Sequence, residues 1–430
     1  MNRVTWSKFW EALPWDIYNR KVFRLQCKIY EAKRYSDYLK VRKLQKLLLH
    51  SSFAHYLAIY YSVWIKTRRP YNISYQLSWP APERVLGILE RLSKKGITVK
   101  ISEIVDSEDS KFYYLVIQYL LKMVLEPVSE GLILVNSYGF RPGKTAWDLQ
   151  RDLIVFFQEN SNSKKKFLKL NLVGAFYKLN TVLLLNLLDL PINYKKLILR
   201  AIEIGFIDLT LKSKGLESFI LAPMLVNLFF NDFHKIFPSI TIFRYGTDIL
   251  CILDHTIDIY NFIEKLSQFF YKCGFLLSPD RVHVAGNSYD FNFLGWQFKV
   301  KFDHRVFTYP SEESWLQYKK KIKSCLIIPN SKLDIRIEKT INITKEWYFY
   351  NRFCRVTQFN SKIYYLKSWY SNFLIKRSTI KKSLRLEKLR KVFVRPVFFR
   401  ILKTDNFSSL YDINVEEWNT SFLLNNVDSS

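Results

Sequence analysis

Methionine, cysteine and glycine are scarce in this chain, with 3, 5 and 12 among 430 residues. The cysteines (Cys27, Cys251, Cys273, Cys325, Cys354) are odd in number, scattered, and form no CxxC pair. That argues for reduced thiols and against both a disulfide framework and a zinc site. No run of about 18 uncharged apolar residues exists, Tyr56 to Ile65 coming nearest, so a membrane span is not expected. The opening MNRVTWSKFWEALPWDIY has neither an apolar signal core nor the acid-free character of a transit peptide. The expectation is a protein used in the compartment that makes it. Acid is short too: 38 Asp and Glu against 66 Lys and Arg leave a net +28, which favours a polyanionic partner.

What is present is apolar and aromatic. At 49% hydrophobic the chain is able to bury a full core, and its length suits two to three domains. The 34 Phe and 27 Tyr beside few Gly suggest an AT-rich coding genome of the organelle kind. The charge is concentrated at the flanks. Residues 1–70 carry 15 basic and 4 acidic groups, residues 301–403 carry 25 and 7, and the middle is near neutral. A binding surface built from both flanks around an ordinary globular centre follows.

Along the chain, residues 6–67 read as helical, each helix with an apolar and a basic face. RRPYNISYQLSWPAPERV (68–85) carries three prolines and marks a boundary. Residues 86–127 are expected to be helical with a polar loop, DSEDSKFYY, in the middle. SYGFRPG forms a Gly/Pro turn, and Thr145 caps a helix from Ala146 with Asp148 in its first turn. KKFLKLN alternates as a strand. ILAPMLVNLFFNDFHKIF reads as one helix, ITIFRYGTDILCILD as a hairpin, TIDIYNFIEKLSQFFYKCGF as a helix and DFNFLGWQFKVKF as a strand. Beyond 310 the chain turns helical, basic and aromatic. After 404 it becomes acidic and Asn/Ser-rich, as loose tails do.

Several of these segments together resemble the reverse-transcriptase/maturase proteins encoded in group II introns of bacteria and organelles. KVFRLQCKIYEAKRYSDYLKVRKLQKLLLHSSFAHYLAI is similar to that family's N-terminal extension. LEPVSEGLILVNSYGFRPGKTAWDLQ carries the most specific string, at 137–143. LVGAFYKLN, GLESFILAPMLVNL, RYGTD and FNFLGWQF follow in the order of the palm motifs. ITKEWYFYNRF and SKIYYLKSWYSNFLIKRS resemble the helical maturase (X) domain. The resemblance covers about residues 5–380. It implies an α+β class: right-hand fingers and palm with a small antiparallel sheet, then an all-helical thumb/maturase domain. The implied divisions are 1–70 (basic helical extension), 71–310 (fingers and palm), 311–403 (basic helical domain) and 404–430 (acidic polar tail).

The chain departs from that family where the chemistry lies. Nucleotidyl transfer uses two divalent cations about 3.5–4 Å apart, and magnesium asks for hard, charged oxygen ligands. The position matching the first palm acid is Asn171, and the first acid of the hairpin pair is Thr247, so that only Asp248 remains. Tyr177 and Leu216-Glu217-Ser218-Phe219 also stand where the family has other residues. No Cys/His cluster suggests a nuclease.

The resemblance therefore implies an RNA-binding maturase that assists splicing of group II or group III introns, with no functional catalytic residue and no resident metal or cofactor. Magnesium would enter only with residual polymerase activity. Candidate RNA contacts are Arg20, Lys21, Arg24, Lys28, Arg42, Lys43, Lys46, Arg141, Lys319, Lys320, Lys321, Lys345, Arg352, Lys362, Lys367, Lys376 and Arg377. The implied partner is intron RNA or precursor mRNA, and the implied location an organelle encoding the protein, the plastid stroma before the mitochondrion. Two rivals stay open: an active RNA-directed DNA polymerase using Asp248 with Asp254, and a structural RNA binder of an organelle ribosome.

Overall fold

The computed structural model describes residues 8–67, 81–95, 97, 108–133, 136–160, 165–178, 180–211, 220–231, 233–284, 286–287, 290–301, 305–327, 333–377, 382–393 and 411. Most of the expected 68–85 boundary, the 216–219 string and all of the 404–430 tail except Tyr411 lie outside the described residues.

Three helices lead, α1 (Trp15–Arg34), α2 (Tyr38–Leu49) and α3 (Ser52–Thr67), followed by α4 (Pro82–Lys95). The side chain of Asp37 accepts from the Lys40 amide and caps α2. These helices pack on α5 (Glu108–Glu130), whose Phe112, Tyr113, Tyr114 and Leu115 are all buried. Seven of the nine residues of the expected polar loop DSEDSKFYY are thus the start of α5. Its acids suit the positive end of a helix dipole, and the aromatic run draws the segment into the core. Buried Lys33 of α1 pairs with Asp189, and Gln45 of α2 donates to the carbonyls of Asp189 and Val124. The N-terminal helices are thereby tied to the body of the protein.

Helix α6 (Ala146–Glu159) starts as its sequence dictates, with Thr145 and Asp148 forming a reciprocal capping box. Strand β1 (Lys165–Asn171), α7 (Thr181–Leu187) and α8 (Ile192–Glu203) follow. The segment expected as a single helix is two, α9 (Ala222–Phe229) and α10 (Phe233–Ile236). The amides of Phe230 and Asn231 turn back to Asn227 and Leu228, and a short polar side chain such as that of Asn231 competes with a helical ladder. Then come β2 (Thr241–Tyr245), β3 (Asp248–Asp254), α11 (Ile259–Lys272) and β4 (Val282–Val284). The first sheet is antiparallel in the order β2-β3-β1-β4.

That sheet is covered on both faces, which explains why β3 reads as a continuous apolar run. Leu168, Leu170, Ile249, Cys251 and Leu253 point into the large helical core. Phe167, Phe243, Leu250 and Ile252 point the other way, onto α6 and a second sheet. The second sheet is β5 (Gly286–Asn287), β6 (Asp290–Phe293), β7 (Trp296–Val300) and β8 (Val306–Pro310), in that order. DFNFLGWQFKVKF is therefore a hairpin and not one strand. Leu294 and Gly295 both take left-handed φ, 50° and 74°, the signature of a tight two-residue turn. Phe291, Phe293, Trp296 and Phe298 fill the interface.

The sheets end at Pro310, and α12 (Glu312–Ile327), α13 (Leu333–Tyr350), α14 (Asn360–Arg377) and α15 (Lys382–Phe393) form a separate core. Tyr350 welds the two together: its ring stacks on Trp296 at 4.8 Å, its hydroxyl donates to the Leu294 carbonyl, and its own carbonyl accepts from Trp147. The class is α+β with a helical C-terminal region, as the sequence implied.

The SYGFRPG turn is pinned from two sides. Arg141 makes a bidentate pair with Glu130, 2.9 and 2.8 Å, with both side chains 2% exposed. Glu130→Ala leaves the guanidinium buried and uncompensated, and the expected loss is about 3–5 kcal/mol, to be read from the midpoint and slope of urea denaturation.

Candidate functional site

The hairpin β2–β3 and strand β1 bring together the residues that match the family's metal site. Tyr245 pairs with Asp248 across the hairpin, and Asn171 pairs with Asp248 across β1 and β3. Gly246 turns the hairpin with φ 59°. The alternation of β1 places Lys169 and Asn171 on one face, the face that Phe167 shares with the second sheet.

Here the polar groups satisfy one another. The Asn171 amide donates to Asp248 Oδ1 at 2.9 Å, while Asn171 Oδ1 accepts from the Val173 amide at 3.1 Å. Arg281, on the link before β4, donates to the carbonyls of Val173 and Asn171. Thr247 is 5% exposed, and its carbonyl accepts from the Leu172 amide. Burial pushes the Asp248 carboxyl up from the usual carboxylate range; Lys169 and the Asn171 hydrogen bond pull it partly back, and Glu313 of α12 adds to the rise.

The family implies divalent cations at this place, and the residues present do not fit them. One carboxylate faces a charge requirement of two dications, one of its oxygens is engaged by an amide, and a lysine supplies positive charge nearby. Among the described residues no three His, Cys, Asp or Glu side chains gather into a possible ligand set. Asp254 is no substitute. It lies at the far end of β3, about 20 Å along an extended strand from Asp248, and pairs with Lys165 at the surface. Asp258 caps α11 by accepting from the Tyr260 amide.

Behind the hairpin, the SYGF turn meets β2. Ser137 bridges to Arg244, and the Tyr138 amide donates to the Arg244 carbonyl. The Arg244 side chain is buried, donating to Ser137 Oγ at 2.7 Å and Asn227 Oδ1 at 3.1 Å. Burial, with Arg141 adding repulsion, lowers its pKa to about 9. A Cβ on Gly139 would fall 2.2 Å from the Gly246 amide nitrogen, so glycine is needed there for the close approach.

The expected RNA contacts divide. Arg20, Lys21, Arg24 and Lys28 lie exposed on α1, and Arg42, Lys43 and Lys46 on α2. Lys320, Lys321, Lys345 and Lys367 are exposed, and Lys319 and Lys362 half-buried, on α12, α13 and α14; Lys362 pairs with Glu312. Arg141 is corrected: enclosed by Glu130 and the Ser137 carbonyl, it presents nothing to a ligand. Arg352 is half-buried and stacks over Trp147 at 3.8 Å, a packing role. The side chains of Lys376 and Arg377 lie outside the described ones.

Sequence reading missed Lys169, Arg281 and the exposed pair Tyr364 and Tyr365, 69% and 72% accessible between Lys362 and Lys367. Lys169 was legible, since it stands two residues before Asn171 on a strand. Trp347, Tyr348 and Tyr370 are core, as aromatic residues at helical spacing usually are.

Compared with known proteins, residues 10–61 match the N-terminal domain of reverse transcriptase, and residues 110–298 match reverse transcriptase (RNA-dependent DNA polymerase). Maturase-like protein 1 of Euglena longa is 24% identical over 381 residues, 84% of this chain and 81% of that protein. Maturase-like protein 1 of Euglena gracilis is 22% identical over 386 residues, again 84% and 81%.

Two outcomes follow. A raised folded-state pKa means that ionising Asp248 opposes folding, and the cost is complete above the folded pKa. Asp248→Asn therefore raises stability at neutral pH, and the gain fades below about pH 4, where the unfolded carboxyl is also protonated; thermal melts across pH check this. Asn171→Asp with Thr247→Asp restores the acids but buries a carboxylate at a site 5% exposed. The expected result is lower stability with no primer extension in magnesium.

Proposed function

We propose that this chain, which belongs to the reverse-transcriptase-like maturase family, binds a folded group II or group III intron RNA and holds it in its splicing-competent shape, without polymerising. The observation that carries this reading is a contrast within the molecule. Among the described residues the scaffold is packed around three apolar cores, while the palm keeps one carboxylate closed against Asn171.

RNA helices expose phosphates and 2′-hydroxyls across a wide shallow groove, so arrays of lysine and arginine recognise their shape without reading sequence. The exposed faces of α1 and α2 and of α12 to α14 supply such arrays. Tyr364 and Tyr365, beside Lys362 and Lys367, offer flat surfaces to splayed bases, a contact worth about 1–3 kcal/mol each. The splicing chemistry stays with the RNA and its own metal ions. The aromatic-rich, glycine-poor composition supports an organelle setting, and the resemblance of the N-terminal segment to cyanobacterial-type maturases favours the plastid before the mitochondrion.

Binding to a structured intron RNA is expected to fall steeply with salt. Replacing Arg20, Arg24 and Lys28 together by alanine lowers the slope of log K against log salt by about 2 to 3, measured by filter binding from 50 to 300 mM salt on a series whose circular dichroism is unchanged. Binding indifferent to salt, or primer extension abolished by Asp248→Ala, overturns the reading.

A further inference from the structure

Tyr177 is one of the positions at which the chain departs from its family, and the structure gives its ring a partner. The ring lies nearly parallel to that of Tyr271, in the last turn of α11, with centroids 6.4 Å apart and planes 23° from each other. Both residues stand at the surface, 56% and 62% exposed. Other near-parallel pairs, such as Trp10–Trp15, Phe167–Phe291 and Trp296–Tyr350, each have a buried member that ties them into a core.

The backbone that carries the two rings is locked by several ties. The amides of Tyr177 and Lys178 both donate to the Gly274 carbonyl, and the Asn180 side-chain amide donates to the Lys272 carbonyl at 2.9 Å. Gly274 takes φ 90°, and a Cβ there would collide with the Lys178 carbonyl oxygen, so glycine alone lets the two segments come this close. The adjoining Phe176 and Phe275 form a β-bridge, their rings 5.5 Å apart and edge to face. Rings fixed in this way lose little freedom when a ligand settles on them.

The charge around the pair is of one sign. Segments 173–180 and 267–276, which meet here, hold no acid and two lysines, Lys178 and Lys272, one beside each tyrosine. Both lysines are exposed, and neither makes an ion pair among the described residues. On the Tyr271 face of α11 the next acid is Glu264, two turns earlier and about 10 Å away along the axis. Flat faces flanked by cations suit a nucleobase and its phosphates, since every base has a π face and every linkage a negative charge.

We propose that Tyr177 and Tyr271 form a stacking platform for an unpaired RNA base, with Lys178 and Lys272 taking the phosphates on either side of it. The platform rests on the reading of the chain as an RNA binder, and it adds single-stranded RNA to the helices that the flanks recognise by shape. A splayed loop or end is a feature that the shape of a duplex does not supply. The platform thus separates RNAs whose helices are alike.

The test uses full-length protein in four forms of unchanged circular dichroism: native, Tyr177→Ala with Tyr271→Ala, Tyr177→Phe with Tyr271→Phe, and Lys178→Gln with Lys272→Gln. The probes are a blunt RNA hairpin and the same hairpin with a 3′ tail of uridines, one of them replaced by the fluorescent base 2-aminopurine, each titrated at 50 and at 300 mM salt. Native protein is expected to prefer the tailed hairpin and to quench the fluorescent base. The double alanine variant is expected to lose about five- to tenfold in affinity for the tailed hairpin at both salts, to leave the fluorescence unquenched, and to bind the blunt hairpin as native does. The phenylalanine variant keeps both faces and behaves as native. The glutamine variant loses about three- to fivefold at 50 mM and little at 300 mM, where screening removes the contribution of the lysines. Equal binding of the tailed hairpin by native and double alanine protein overturns the platform and leaves the RNA reading standing. Equal losses on the tailed and blunt hairpins also overturn it, because the contact is then not to an unpaired base. Failure of every form to bind either hairpin at 50 mM overturns the RNA reading, and the platform with it. A native dimer that the alanine pair dissociates, with RNA affinity unchanged, gives the rings to a second copy of this chain and overturns the platform.

Discussion

The palm is built around a backbone-to-backbone contact. The turn Ser137–Phe140 reaches the hairpin at Gly246 so closely that a methyl on Gly139 would collide with the Gly246 amide. Three further ties hold the approach in place: the Tyr138 amide on the Arg244 carbonyl, the buried Arg244 guanidinium on Ser137 and Asn227, and the Arg141–Glu130 pair linking the same turn to α5. A buried guanidinium whose donors found no partner would be costly. These bonds are consequently mutually dependent, and the turn, hairpin and long helix behave as one unit. The helical C-terminal region is fastened to the same block through Tyr350 and Trp296.

This dependence explains how a polymerase-like scaffold keeps its shape while its centre changes. The ties that hold the hairpin lie mainly on the face toward α5 and α9, whereas Asn171 and Asp248 lie toward the second sheet. Replacing acids on the second face disturbs none of the bonds on the first. Once the charge there falls, two like carboxylates no longer repel across β1 and β3, and an amide–carboxylate hydrogen bond closes the gap. Lys169 then supplies local positive charge. The arrangement is one of internal satisfaction, and the exposed lysines and arginines expected to meet RNA lie elsewhere, on the two flanking helical regions.

Much of this was readable along the chain, for identifiable reasons. The Thr145 cap of α6, the hairpin at RYGTD and the apolar stripes of α1 and α11 are local patterns, and they formed as read. The missed features depend on neighbours remote in sequence. DSEDSKFYY looks like a loop until its aromatic residues find a core. FNFLGW looks like one strand until Leu294 takes a left-handed turn. Arg141 looks like a surface cation until Glu130, from another element, encloses it, and nothing in DNFSSLYDIN says that Tyr411 has an aromatic seat on a helix near the other end of the chain.

The sequence by itself determined where the charge lies, which helices are amphipathic, and that Asn171 and Thr247 stand where acids are expected, because composition, period and residue identity are properties of the chain alone. The tertiary structure alone decided which cations are exposed, that Asp248 is closed by an amide, and that Tyr411 is seated against Phe23 and Tyr30. Burial and pairing arise between elements separated by up to hundreds of residues, and their energies exist only once those elements have met.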